Sequence, residues 1–335
     1  MKARPYSVIV LHDAPSKDAR PDELDGLVQA KQVAEAVTRL GWRASVLPTS
    51  LDLASTLAVI QEQYPSCVFN LVESLGGDGR MIHFVPAMLD ASGIPYTGSN
   101  SDAIYLSSQK LLAKNLMRQS GIPVPGYFTS RTGPEKDGGT WIIKSLWEHA
   151  SFGMDDGCVV SGIDAAIARM DDSAATLGGD WFAEEYLDGR EFNISVLEHK
   201  GQPYILPIAE MNFDDYPQGK PRIVGYAAKW DESAPEYVAT RRSFPALPDA
   251  LRNQLNEIVR QCWSLFGLQG YARVDLRLDT TGNALVLEVN ANPCLSKDAG
   301  FAAAAKEDGI SYRKLIERVV RAALRPALRT FRRTG

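Results

Sequence analysis

Two short runs that alternate polar with apolar residues constrain this chain more than any other feature. They are Tyr271-Ala272-Arg273-Val274-Asp275-Leu276-Arg277-Leu278 and Ala284-Leu285-Val286-Leu287-Glu288-Val289-Asn290. A period of two is that of a strand with one buried face. The intervening Asp279-Thr280-Thr281-Gly282-Asn283 is turn-rich and predicts a tight hairpin. A fold-back centred between Thr281 and Gly282 sets Asp275 opposite Glu288 and Arg273 opposite Asn290, all four on one face. Two carboxylates and an amide gathered on an apolar sheet make a hard-oxygen site for Mg2+, and the arginine beside them can stabilise an anion. Cross-strand ion pairs on a surface hairpin would leave the same pattern. Ala291-Asn292-Pro293, however, stops the second strand. Glu288 and Asn290 then stand at a strand end, where sites are commonly built.

The chain has 335 residues, long enough for two or three domains. At 45% hydrophobic and 23% charged it reads as globular. A formal net charge of −5 does not advertise a nucleic-acid partner. No apolar run reaches membrane-spanning length. The apolar run Tyr6–Leu11 is too short for a signal peptide, so a cytoplasmic protein is expected. Cys67, Cys158, Cys262 and Cys294 are scattered without metal-ligand spacing and read as reduced thiols.

Tyr6–Leu11, Arg43–Leu47 and Cys67–Val72 read as strands, with an amphipathic helix over Leu24–Leu40. That alternation predicts a parallel α/β unit. Leu106–Ser120 predicts a helix stopped by Gly121, and Ile122-Pro123-Val124-Pro125 an extended exit at a domain boundary. Trp141–Lys144, Trp181–Leu187 and Glu191–Leu197 predict further strands, and Ile310–Leu324 a closing helix. Met211–Ala239 is too long and too irregular for an idle connector and predicts an active-site loop. The tail arginines Arg325, Arg329, Arg332 and Arg333 suit a solvated end or an anionic partner.

Some of these pieces suit phosphate chemistry. Lys144 ends an apolar strand and precedes Ser145–Met154, a loop with Ser151 and Gly153. Backbone N–H groups of such a loop can hold phosphate oxygens while the ammonium neutralises charge, although a surface lysine before a loop reads the same way. Glu184 and Glu185 are adjacent on a strand, so one of them is buried and needs a partner. An adenine amine or a ribose hydroxyl would serve.

The chain resembles the ATP-grasp carboxylate–amine ligases, and within them the D-alanine–D-alanine ligases. The resemblance runs through Phe69-Asn70-Leu71, Gly76-Gly77-Asp78-Gly79, Gly93–Ser99, Gln109–Lys114 and Gly121–Pro125. It continues through Ile143-Lys144, Ser151–Met154, Glu184–Phe192, Ala228-Lys229, Ala272–Asp275, Leu287–Asn290 and Gly309-Ile310-Ser311. It implies an α/β (α+β) ATP-grasp fold in three parts: a Rossmann-like N-terminal domain (1–121), a central lid subdomain (122–187) and a C-terminal subdomain with the metal site (188–335). By the same resemblance Lys110 and Lys144 hold ATP phosphates, and the Ser151 loop closes over them. Glu184 and the backbone of Tyr186 and Leu187 meet adenine and Glu191 the ribose, with Glu185 also in the cofactor-binding set. Lys229 reaches the γ-phosphate. Asp275, Glu288 and Asn290 carry two Mg2+ ions, and Arg273 holds the developing oxyanion. Family members are often homodimers.

This sequence also departs from the family. There, an N-terminal glutamate that grips the first substrate is tied to a serine of the phosphate loop and to a tyrosine after the lid lysine. Here the loop reads His149-Ala150-Ser151, Trp230 follows Lys229, and the nearest acidic residues are Glu23 and Asp25. Where the family has a hydroxyl residue followed by leucine, this chain has Ala299-Gly300, with Lys297 close by as a candidate carboxylate grip. Cys294 stands where glycine is usual and reads as packing. The expected activity is therefore an ATP-dependent ligase joining a small-molecule carboxylate to an amine, with the amino-acid pocket rebuilt. A genuine D-alanine–D-alanine ligase, an ATP-grasp kinase and a non-catalytic nucleotide-binding module are the alternatives.

Overall fold

The structure, a computed structural model, describes residues 5–15, 19, 21–134, 138–216 and 218–325, except the side chains of residues 21–23. The first elements are β1 (Ser7–Asp13), α1 (Pro21–Arg39), β2 (Arg43–Thr49), α2 (Leu53–Gln63) and β3 (Cys67–Asn70). β1 lies between β2 and β3 and runs parallel to both. Val8–Leu11 are buried throughout, as a continuous apolar run in a covered parallel strand must be.

α3 (Phe84–Ser92), α4 (Ser101–Ser108) and α5 (Lys110–Gln119) follow. The sequence predicts one helix over Leu106–Ser120, but Gln109 breaks it. Its backbone is extended, and its side chain accepts the Leu112 N–H as an N-cap. The break makes Lys110 the first residue of α5.

The central sheet is antiparallel. It comprises β4 (Tyr127–Phe128), β5 (Thr140–Ser145), β6 (Val159–Ser161) and, after α6 (Ile163–Leu177), β7 (Trp181–Glu185), in the order β4-β7-β5-β6. The third sheet is larger. It holds β8 (Glu191–His199), β9 (Gln202–Ile205), β10 (Ala209–Asn212), β11 (Arg241–Ser243), β12 (Tyr271–Leu278) and β13 (Ala284–Asn290). Its order is β11-β10-β8-β12-β13, with β9 also paired to β8. Met211–Ala239, expected as one loop, contains the end of β10 and two short helices, α7 (Tyr226–Trp230) and α8 (Pro235–Ala239). The chain continues through α9 (Asp249–Leu265), α10 (Gly300–Glu307) and α11 (Tyr312–Ala323).

The hydrophobic cores cross the boundaries expected from sequence. Ala103 and Ile104 of α4 and Ala113 and Met117 of α5 pack with the third sheet. Phe301 of α10 and Leu315, Ile316, Val319 and Val320 of α11 pack instead with β1, β3 and α1. Arg325 pairs with Glu198 at 3.5 Å; Arg329, Arg332 and Arg333 lie outside the described residues.

β12 and β13 form the expected hairpin, with Asp275 opposite Glu288 and Arg273 opposite Asn290. The turn is wider than a tight one. Leu278 pairs with Ala284, and Asp279 accepts the N–H groups of Thr281 and Asn283 across it. Near the turn the register is one residue out, with Leu276 opposite Val286. A bulge at Leu287 absorbs the difference. The two carboxylates face each other because of that extra residue. Buried Lys114 fastens the bulge by donating to the Leu287 carbonyl at 2.9 Å.

Candidate active site

At the open end of the hairpin, Arg273 donates to both oxygens of Asp275, each at 2.7 Å, and stands 3.8 Å from Glu288. β8 adds Asn193, opposite Asp275 in the ladder and donating to it at 3.0 Å. Asn290 accepts the Asn292 N–H at 3.0 Å. Burial raises the Asp275 pKa against the opposing pull of Arg273. Glu288 is also penalised by burial, but Lys110, His149, Arg273 and Lys229 outweigh that and hold its carboxyl at about 2. Four separate segments thus bring positive charge or its potential onto one carboxylate.

The lysines are fixed from below by Glu184. This residue is fully buried and forms ion pairs with both Lys114 and Lys144. Ile142 is opposite Glu184 in the ladder, so Lys144, two residues on, lies diagonally across the same face. The resemblance implies adenine at Glu184; within the protein its carboxylate is partnered by two ammonium groups. Lys114 is absent from the site expected from sequence. Its signal was a lysine four residues after Lys110, the spacing of one helix face. Lys110 itself donates to the Glu148 carbonyl at 2.6 Å, which anchors the phosphate loop. Gly79 approaches that loop so closely that a Cβ would lie 3.0 Å from the Trp147 carbonyl oxygen, and its N–H donates to Glu148 at 3.1 Å.

The lid is closed on the loop. Ser151 donates to the Val224 carbonyl at 2.7 Å, the Tyr226 N–H donates to Met154 at 3.0 Å, and the Trp230 indole N–H donates to the Ala150 carbonyl at 3.2 Å. The Ser151 hydroxyl fastens the loop to the 211–239 segment. Ala150 and Ser151 both adopt left-handed backbone, φ 57° and 62°, a conformation that costs a non-glycine residue energy and persists where neighbours enforce it. α7 carries Lys229, exposed as a whole residue but with its ammonium end among Arg273, Glu288 and Asp275. Burial of its ammonium and the charge of Arg273 lower its pKa, while Glu288, Asp275 and Glu191 oppose them. Trp230→Phe is expected to speed proteolysis within residues 211–239 several-fold without lowering the melting temperature, since a single neutral hydrogen bond is worth about 0.5–1.5 kcal/mol. Unchanged cleavage would show that the indole does not hold the lid.

Next to the lysines, Arg277 organises a second region that sequence reasoning missed. It is buried, pairs with Glu191 at 3.1 Å, donates to the Leu187 carbonyl at 2.6 Å and lies over the Tyr186 ring. The Tyr186 N–H is taken by the Thr140 carbonyl at 2.9 Å. Glu185 is exposed and accepts the Gly126 N–H at 3.4 Å.

At the amino-acid end, Asp25 of α1 accepts from the Cys294 thiol at 3.3 Å and the Ser296 hydroxyl at 3.4 Å. Burial and the neighbouring Asp25 push the Cys294 thiol up, so it is a protonated donor. The Glu23 side chain lies outside the described residues. Lys297 has partners on α1 and α11. It stands 3.4 Å from Glu35 and over the Tyr312 ring. Arg242 also stands at this end. Its guanidinium would lie 3.4–3.6 Å from a Cβ at Gly300, and it feels the charge of Arg273.

A family model described as "D-ala D-ala ligase C-terminus" matches residues 138–321, more than half of the chain and all of the hairpin, lysine and lid elements above except Lys110 and Lys114. The chain belongs to the D-alanine–D-alanine ligase family. An uncharacterized protein of Sinorhizobium fredii, y4sG, is 32% identical over 262 residues, covering 77% of this chain and 74% of that one. A D-alanine–D-alanine ligase of Carboxydothermus hydrogenoformans is 27% identical over 301 residues, 86% of this chain and 90% of its own. The Bacillus anthracis D-alanine–D-alanine ligase structure complexed with ATP superposes with a TM-score of 0.71 at 20% identity, covering 97% of this chain and 98% of that one. The fold is therefore ATP-grasp. No helix among the described residues is long and apolar enough to cross a membrane.

Proposed function

We infer that this chain is an ATP-dependent ligase that joins a carboxylate to an amine through an acylphosphate, using the family's ATP apparatus with a rebuilt amino-acid pocket. The observation that carries the reading is the convergence of Lys110, Lys229 and Arg273 on Glu288, beside Asp275. A carboxylate is a poor electrophile because its leaving group would be oxide. Its attack on the γ-phosphate of ATP expels ADP and gives an acylphosphate. An amine then adds to the carbonyl, and the tetrahedral adduct releases phosphate and a proton to leave an amide. Two anions must first approach each other, which Lys110, Lys144 and Lys229 make possible by screening.

Asp275, Glu288 and the Asn290 amide suit two Mg2+ ions: all three offer hard oxygens at one strand end. Among the described residues no three His, Cys, Asp or Glu side chains cluster as a metal site, so the amide is needed to complete the set. When bound, the ions would neutralise phosphate charge. Arg273 would stabilise the tetrahedral oxyanion. Adenine would meet the backbone at Leu187, and Glu191, aligned by Arg277, the ribose. Asp25 would face the ammonium of the first substrate, and Arg242 would grip the carboxylate of the second.

Burial, with Lys144 adding to it and Glu288 opposing, lowers Lys110 to about 8. The charged form that binds phosphate is thus lost as pH rises through that value. Affinity for Mg·ADP, measured by calorimetry, should hold below pH 8 and fall by roughly tenfold per unit well above it; a flat profile to pH 9.5 would remove Lys110 from the phosphate site.

Oxygen-18 in the donor carboxylate tests the chemistry directly. Its appearance in released phosphate marks the acylphosphate route. Retention of all label in an isolated phosphorylated product would mark a kinase and sink the ligase reading. A genuine D-alanine–D-alanine ligase is the second reading, favoured by the names of relatives 27–29% identical. Ala150, Trp230 and Ala299 stand against it.

A further inference from the structure

His149 belongs to the phosphate loop, yet no step above uses it. Its Nε2 is buried and has no hydrogen-bond partner among the described residues. Burying such a nitrogen unpaired is costly, and a group of this kind in a cleft calls for a ligand. The backbone that carries the ring is held on both sides of it. The Glu148 carbonyl accepts from Lys110 at 2.6 Å, and the Ala150 carbonyl accepts from Trp230 at 3.2 Å. The His149 carbonyl itself accepts the Phe152 N–H at 3.1 Å. The charges that surround the imidazole are Lys110, Glu288, Lys229 and Arg273. Three are cations from three different elements, and the anion is a proposed metal ligand.

We propose that His149 is a further phosphate-binding residue, whose Nε2–H donates to the terminal phosphoryl group of a bound nucleoside triphosphate. The inference rests on the ligase reading for the position of the nucleotide. Burial first, and then Lys110, push the ring down to about 4, so it is neutral at physiological pH. A neutral donor suits this place. It adds a hydrogen bond to the transferring group without adding repulsion to a site that already holds several cations. The loop's other anchors constrain which phosphate it serves. Lys110 and Lys144 approach from the side of α5 and β5, whereas Lys229 arrives with the lid. His149 lies between the two loop carbonyls that Lys110 and Trp230 hold, and Lys229 is among the charges that act on its ring, which favours the terminal phosphate.

The test needs no amino-acid substrate. Binding of Mg·ADP and of Mg·AMP-PNP, the non-hydrolysable triphosphate analogue, is measured by calorimetry on wild-type protein, His149→Ala and His149→Gln. The alanine variant should lose about tenfold to a hundredfold in affinity for Mg·AMP-PNP, the range for a hydrogen bond to a charged group. Its affinity for Mg·ADP should stay within about twofold, and glutamine, which keeps an N–H donor, should retain most of the triphosphate affinity. Equal losses for both nucleotides, no loss for either, or a glutamine variant as weak as alanine would each overturn the assignment. Failure of the wild-type protein to bind either nucleotide would instead sink the ligase reading on which it rests.

Discussion

Glutamine at position 184 is expected to destabilise the protein by about 3–5 kcal/mol, the range for breaking a buried ion pair by removing one partner. Glu184 is fully buried, Lys114 is 1% exposed, and Lys144 is 14% exposed. Without the carboxylate, two ammonium groups lose their counterion in a site with little water. Lys114 keeps the Leu287 carbonyl, but a single carbonyl does not neutralise a charge. The effect has a pH signature. Burial raises the Glu184 pKa, but Lys114 and Lys144 outweigh it and leave the carboxyl below its ordinary value. This contribution is therefore present above the ordinary carboxylate range and is lost as pH falls through the lowered value. Denaturant unfolding of wild type and Glu184→Gln should diverge most near neutral pH and converge in acid. Adding Lys114→Met to Glu184→Gln should recover part of the loss, because replacing both members of a buried pair costs less than orphaning one. A single-variant loss under about 1 kcal/mol would mean that the ion pairs contribute little.

Arg273→Met is expected to lower kcat by about 10²–10³, the range for loss of one oxyanion donor, with little change in KM for ATP. The alternative role for Arg273 is structural, since it spends two hydrogen bonds on Asp275. The two roles separate kinetically. Loss of an interaction made only in the transition state lowers kcat and kcat/KM together, whereas loss of an Asp275 support would raise KM for Mg·ATP. A variant with normal kcat and a raised KM would move Arg273 from the reaction to the support of the metal ligands.

The hairpin was legible because its alternation is local and because Asn292-Pro293 ends the second strand. Its bulge was not. A symmetric fold-back pairs Asp275 with Glu288 correctly, yet the true turn is one residue out and Leu287 restores the register. Nothing in a run of Leu-Val-Leu marks which residue is extra. The pair Glu184-Glu185 was half legible. Strand geometry required one buried carboxylate with a partner, but the partner comes from α5, seventy residues earlier, and long-range pairing leaves no spacing to read. The Trp230 contact was illegible for a different reason. Its acceptor is a backbone carbonyl, which every residue has, so Ala150 carries no trace of it. Lys297 was read from its proximity in sequence to Ala299-Gly300, and its contact with Glu35, 262 residues away, leaves no local mark.

We propose that this chain activates a carboxylate with ATP and passes it to an amine other than in D-alanyl-D-alanine synthesis. Phosphate release from Mg·ATP, followed across D- and L-amino acids singly and in pairs with mass detection of products, tests it most directly. Release and an amide product are expected with a carboxylate–amine pair, and none with D-alanine at high concentration. Release with D-alanine alone, with D-alanyl-D-alanine as product, would contradict the rebuilt pocket and make this a cell-wall ligase.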